Sequence, residues 1–347
     1  MRAAALGLAL AGCVTLRLPG QSFQGEPPPP PPELVEALRR DVEQLAGSIG
    51  PRSFQRPAAL VEAREYLEAR LTAAGLPPQR ERYTIADPRT REQTFTNIYA
   101  EIPGTARPEE VVLVGAHYDT AAYPLGWCDE GSGPTAGADD NTSGVAALLA
   151  LAERLTPADR TIRLVAFVNE EPPWFQTEDM GSLVHARALA EAGVPVTAML
   201  ALDSLGLYSE EPGSQRYPFP LNLAYPDRAN FIAFVSDRSS RDLLARVGAT
   251  FRAGAAVPSE GGALPADLPG VGWSDHWSFW RMGYPAVMVT DTALFRSHVA
   301  RGGDGEVRMT RTYHCASDRP ENLDYATLAL VVQGLEAVVR DLATIEP

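Results

Sequence analysis

Three apolar runs, each closing on a side chain able to bind a metal, constrain this chain more than any other feature of its sequence. VVLVGAH stops at His117, TIRLVAFVNEE at Glu170 and Glu171, and VTAMLALD at Asp203. Unbroken Val, Leu, Ile and Phe bounded by polar residues predict strands buried on both faces, as in parallel sheets. Such sheets bind ligands at the carboxyl ends of their strands, so the three runs deliver their last residues to one rim. Asp140, in GADDNTSG just ahead of a helix-like stretch, and His314 in TYHCASD can join them from loops. Two imidazoles with three carboxylates form a borderline-to-hard donor set. That set suits zinc, manganese or cobalt better than copper or an iron–sulfur cluster.

Composition removes competing classes. The net charge is -14 and the isoelectric point is near 4.9, which opposes nucleic acid or an anionic membrane surface as the main partner. All 30 basic residues are arginine, and the chain contains no lysine. A phosphate-binding loop with its Lys, a Schiff-base enzyme, a kinase of the usual type and a Ser-x-x-Lys acyl-enzyme each need an ammonium group, and all are excluded. Hydrophobic residues make up 45% of the 347, enough for the core of one large α/β domain.

The amino terminus predicts export. After Arg2, AAALGLALAG runs to Leu10-Ala11-Gly12-Cys13, well short of the ~20 residues that span a bilayer, so residues 1–12 are expected to be a cleaved signal segment. The Leu-Ala-Gly-Cys ending resembles a bacterial lipoprotein processing site. That resemblance implies that Cys13 would be lipidated and would anchor an exported protein in the cell envelope; an ordinary signal peptide with a chance cysteine is the alternative. Residues 13–32 read as a tether with six consecutive prolines, a polyproline II spacer expected to hold the folded domain, 33–347, off a membrane. With Cys13 lipidated, Cys128 and Cys315 remain as an even pair in an oxidising compartment. A disulfide between them is expected, the alternative being two buried thiols.

Pattern then orders the domain. Residues 33–47 and 57–75 have helical spacing, and RERYTI and TFTNIYAEI read as strands at one side of the sheet. A Gly/Pro-rich loop at 121–138 precedes a helix near 143–155. A strand at 161–169, a helix near 181–193 and a strand at 196–203 complete a βαβ series with parallel right-handed crossovers. Segment 209–230 reads as loop, NFIAFVSD and PAVMVTD as strands, 249–273 as a long loop walling a substrate cleft, and 324–345 as a closing helix. The expected fold class is a three-layer α/β/α sandwich with a mostly parallel central sheet flanked by helices.

The segments VGAHYDT, GADDNTSGVAALLALA, FVNEE, MGS, LDSLG, SDHWSFWRMGYPAV and YHCASDRPENLD occur together, in order, from about residue 95 to the end. In this the chain resembles the dizinc aminopeptidases of the MH-clan metallopeptidases, whose relatives include glutaminyl cyclases and glutamate carboxypeptidases. The resemblance implies that His117 and Asp203 bind one zinc, Glu171 and His314 the other, and that Asp140 bridges them; manganese or cobalt would serve as well. Chemistry alone leaves Asp139 and Asp140 equal as the bridge, and the family motif selects Asp140, immediately before Asn-x-Ser-Gly. Glu170 would be the general base and Tyr313 a donor to the oxyanion, although a packed aromatic explains Tyr313 equally. Asp119, two residues after His117, sits where a carboxylate can accept the imidazole's free N–H.

Beyond the glutamates, EEPPWFQTEDMGS is longer than the short Gly-rich turn of many relatives. Pro172, Pro173, Trp174 and Phe175 are expected to add a stiff apolar wall. Asp275 and His276 match a segment that lines the family's pocket but stay outside the expected metal shell; His185 and His298 read as packing or surface residues. The expected function is an exported, metal-dependent exopeptidase acting on peptide substrates, foremost an aminopeptidase, with membrane contact through the lipid alone. A glutaminyl cyclase, a carboxypeptidase and an inactive binding ectodomain are the alternatives. An acidic group holding a free amine, or an arginine holding a carboxylate, would distinguish the two exopeptidases, and Glu178, Asp179 and Arg296 are the residues to place.

Overall fold

A computed structural model describes residues 18–90, 92–123, 128, 133–219, 221–301 and 307–345. The expected signal segment and Cys13 lie outside the described residues. Eight strands form the central sheet: β1 (Gln79–Ile85), β2 (Gln93–Ile102), β3 (Arg107–His117), β4 (Arg160–Phe167), β5 (Val196–Leu202), β6 (Ile232–Ser236), β7 (Ser259–Ala263) and β8 (Ala286–Thr290). Their order across the sheet is β1-β2-β4-β3-β5-β8-β6-β7. The middle of the sheet, β4-β3-β5-β8, is parallel, β1 and β2 run antiparallel at one edge, and β6 pairs antiparallel with β8. The three ligand-bearing runs are β3, β4 and β5, neighbours in the sheet, so their carboxyl ends meet.

The pleat divides the core in two. Val112, Val114 and Ala116 of β3 face one layer, where α1 (Pro32–Val42), α2 (Pro57–Ala73), α3 (Gly144–Arg154), α5 (Arg241–Gly254) and α7 (Tyr325–Ala343) gather. Val111 and Leu113 face the other, against Ala186 and Leu189 of α4 (Gly181–Glu191) and Phe279 of α6 (His276–Arg281). Helix α1 starts on proline, whose fixed φ suits a first turn, and buries Leu34, Leu38 and Val42 at four-residue spacing. Helix α3 is buried along Gly144–Ala152 because it is covered by the sheet as well as by α1, α2 and α7. Asp324 caps α7 by accepting from the Thr327 N–H at 3.0 Å.

Several expectations are corrected. The segment from 249 to 273 is not a continuous loop: its start belongs to α5 and its middle forms the edge strand β7, held by β6. A two-stranded hairpin, β9 (His298–Arg301) with β10 (Val307–Thr310), was not foreseen. The proline run does not stand ahead of the domain as a stalk. Leu18, upstream of it, is buried against α5, where a Cβ on Gly248 would lie 2.7 Å from Leu18 Cδ2. No helix among the described residues is long and apolar enough to cross a membrane.

Candidate metal centre

His117 is the last residue of β3 and is fully buried. Two residues beyond β4, Asn169 takes a left-handed φ of 63° and turns the chain so that Glu170 and Glu171 enter the site. At the end of β5, Asp203 N–H donates to Val289 O of β8 at 3.0 Å, and Ser204 turns away with a φ of 56°. His314 itself has a φ of 57°. Non-glycine residues in this region cost on the order of 1–3 kcal/mol each, and such strain concentrates at sites where geometry must be held against preference.

The carboxylate of Asp140 lies between the two histidines. Its Oδ1 is 3.3 Å from His117 Nε2, and its Oδ2 is 3.1 Å from His314 Nε2. Asp203 Oδ2 is 3.7 Å from His117 Nε2, and Glu171 Oε2 is 3.0 Å from His314 Nε2. Two triads result, His117–Asp140–Asp203 and Asp140–Glu171–His314, each with ligand atoms within 4.8 Å of one another. The five side chains expected from the sequence are thus brought together, and Glu170 Oε2 stands 3.8 Å from His117 Nε2. Asp139 points elsewhere and accepts from the Gly206 N–H at 2.7 Å.

This donor set fits zinc. His117 Nε2, Asp140 Oδ2 and Glu171 Oε1 are buried without a hydrogen-bond partner, an arrangement that a cation would satisfy. Burial opposes a charged imidazole, yet the surrounding carboxylates overcome it and raise His117 well above its ordinary value and His314 to about 10. Burial drives Glu170 well up, with Glu171 and Asp203 adding to the effect and His117 opposing it, and it brings Glu171 to about 7. Asp140, also buried, is nonetheless held low by the two histidines beside its carboxylate.

The support around the donors differs in part from expectation. Asp119 does not use its carboxylate chiefly on His117: the imidazole Nδ1 is 3.2 Å from the Asp119 carbonyl and 3.6 Å from its Oδ1. The two carboxylate oxygens instead accept from the Glu170 and Glu171 N–H groups, each at 3.2 Å. Asp318 does the same for the other loop, accepting from Asp139 N–H at 2.7 Å and Asp140 N–H at 3.1 Å. Asn141 joins that loop to β5, donating to Leu202 O and accepting from the Ser204 N–H. Gly144 has no room for a side chain, because a Cβ there would collide with Asn141 Oδ1 and lie 2.6 Å from Leu202 O.

Sequence reasoning missed Arg52. Its fully buried guanidinium donates to the carbonyls of Leu45, Gly50, Tyr118 and Ala136 and to Thr142 Oγ1, which ties the helices at the start of the domain to the loops after His117 and around Asp140. Backbone carbonyls leave no mark in a sequence, so only the isolated arginine in SIGPRS could have hinted at it. Cys128 and Cys315 form a disulfide, directly after His314. The Tyr313 ring stacks on His314 with centroids 3.9 Å apart and also lines the adjoining cavity.

That cavity, about 460 Å³, opens from the centre and is walled mainly by apolar groups. Part of the expected wall is present: Pro172 and Phe175 line it, together with Gly261, Leu264 and Val271 from the 249–273 segment. Trp174 turns away instead, edge-on to Phe54 and Phe95. A second wall that was read only as loop comes from Tyr217, Leu221 and Tyr225. Asp275 is buried with neither carboxylate oxygen hydrogen-bonded, and burial lifts it to about 7. His276 bonds to Val271 O at 2.7 Å, and both residues lie outside the two triads. His185 is a buried packing residue, 3.0 Å from Glu81.

Comparison with known proteins bears on the family and the fold. The model described as Peptidase family M28 matches residues 97–339. An uncharacterized protein of Escherichia coli (strain K12), YfbL, is 34% identical over 303 residues, 86% of each chain. A glutaminyl cyclase of Bacteroides thetaiotaomicron bound to N-acetylhistamine superposes with a TM-score of 0.64 at 18% identity, covering 91% of this chain and 99% of that one. A Zn-dependent exopeptidase of Parabacteroides distasonis ATCC 8503 also gives 0.64 at 18% identity, covering 88% and 98%.

Proposed function

Since this chain belongs to peptidase family M28, we propose that it is a dizinc aminopeptidase, exported and held in the cell envelope by a lipid on Cys13. Family membership carries the coarser statement, a metal-dependent hydrolase of peptidase type. The observation that supports the finer reading is the division of Asp140, one oxygen toward His117 and the other toward His314. His117 and Asp203 would hold one ion, Glu171 and His314 the other, and Asp140 both. Paired zinc, or manganese or cobalt, would supply Lewis acidity toward a peptide carbonyl and lower the pKa of a water between them.

The remaining work falls to the chain's own groups. Glu170 takes the water proton on its carboxylate and returns it to the leaving amine. Tyr313, on the cavity wall, donates its phenol to the developing oxyanion. The polypeptide's amino end is favoured by the wall: beyond the proposed ligands and base it carries the carboxylate of Glu260, and among the described residues no arginine lines the cavity. Arg296 cannot receive a substrate carboxylate, because its buried guanidinium donates to Leu207 O, Phe231 O and Gln215 Oε1. Glu178 is engaged at the surface with Arg187. These facts weigh against a carboxypeptidase.

The test is zinc stoichiometry with turnover on peptides blocked at one end. Two zinc ions per chain, cleavage of peptides with a free amine and none of amino-blocked ones are expected. One ion with cyclisation of amino-terminal glutamine would replace this reading with the cyclase, and cleavage only from the carboxyl end would overturn it.

A further inference from the structure

The chain between Leu18 and Ser22 is clasped to the sheet edge that carries the cavity. Arg252, near the end of α5, donates to the carbonyls of Leu18, Pro19 and Gly20 at 2.8, 3.1 and 2.8 Å. The Ser259 N–H donates to Ser22 Oγ at 2.8 Å. Leu18 is only 5% exposed, seated in the notch that Gly248 leaves open. Ser259 begins β7, and the next residues, Glu260, Gly261 and Gly262, form part of the cavity wall. Tyr225 joins the two, its hydroxyl donating to Gly261 O at 3.1 Å.

Large apolar side chains stand exposed around the same cavity. Phe219 is 73% exposed between the wall residues Pro218 and Leu221, Leu223 is 52% exposed on the short 3-10 helix Leu221–Leu223, and Trp273, itself a wall residue, is 41% exposed. Three such groups, one on the cavity wall and two within two positions of wall residues in sequence, exceed the scattered apolar exposure of an ordinary surface. The length of chain upstream of the clasp says what meets them. Cys13 precedes Leu18 by five residues (18 − 13), a reach of at most about 18 Å. A lipid on Cys13 therefore keeps the clasped edge within that distance of the bilayer.

We propose that the clasp orients the anchored protein with β7 and the cavity mouth toward the membrane, so that Phe219, Leu223 and Trp273 enter the lipid surface. This rests on the proposed anchoring through Cys13. With a net charge of -14 the domain is not drawn to an anionic bilayer, so contact is made by the anchor and the apolar rim together. The proline run then connects Ser22, held at β7, to α1 and sets no distance from the membrane.

The experiment uses the full lipidated chain on vesicles of phosphatidylethanolamine and phosphatidylglycerol, about three to one, with Cys13→Ser as the soluble control. Flotation reads the anchor, and amide hydrogen exchange on the floated protein reads the orientation. Co-flotation of the lipidated chain alone, with exchange in 217–225 and 268–274 slowed severalfold relative to the control, is expected. The double variant Phe219→Ser with Leu223→Ser should still float yet lose that protection, and Arg252→Gln should lessen it. A chain that floats with no protection at the rim, or with protection on α2 instead, overturns the orientation while leaving the anchor intact. A chain that does not float removes the anchor and the orientation with it.

Discussion

Replacing Glu170 with glutamine keeps its shape and removes its basicity, which separates proton transfer from metal retention. We expect Glu170→Gln to lose about 10²–10⁴-fold in turnover while keeping both zinc ions; initial rates and elemental analysis measure the two, and undiminished turnover would exclude Glu170 as the base. The protonation of the ion-free site makes a second prediction. His314, raised to about 10 by Glu171 and Asp140 against the effect of burial, carries a proton at neutral pH that zinc must displace. Affinity should therefore rise with pH, about tenfold per unit from His314 alone, and level off near 10. Below about 7, protonation of Glu171 steepens the loss. Chelator competition between pH 6 and 9 checks the sign, and a flat profile would refute it. At this scale the donors were legible because each closes an apolar run or a motif. Arg52 and Asp318 were not, since they act on backbone atoms.

At the level of elements, β3, β4 and β5 could be read directly because their carboxyl-terminal parts, 111–116, 164–167 and 198–202, are apolar and buried on both faces. Strand β7 could not: SEGGA contains no β-branched or aromatic residue and is a strand because β6 offers it a ladder. Helix α5 was missed for a related reason, as its stripe is only Leu244, Val247 and Phe251 among arginines and small residues. The Cys128–Cys315 disulfide joins the loop after β3 to the loop of His314, and it gives a third prediction. Changing both cysteines to serine should destabilise the protein by about 2–5 kcal/mol and release the ion held by Glu171 and His314 before the other. Thermal unfolding and zinc counting with and without reductant follow both effects. Unchanged zinc retention in reductant would show that the bridge does not support the site.

Over the whole molecule, residues outside the family match take part in the core that supports the centre. Helices α1 and α2 contribute Leu34, Leu38, Leu60 and Leu67 to the same cluster as Val114 of β3 and Leu148 of α3, while the match begins only at residue 97. A chain shortened to 97–347 would retain His117, Asp140, Glu171, Asp203 and His314 and is expected to bind zinc weakly and lack a cooperative unfolding transition, as circular dichroism and metal titration would show. Native-like melting of that fragment would contradict this. Arg52 gives the reason: it grips loops lying some sixty to ninety positions downstream. The ion cradle is therefore a joint between two stretches of polypeptide, and trimming to the family-matched block keeps every donor while discarding the rivet that sets their spacing.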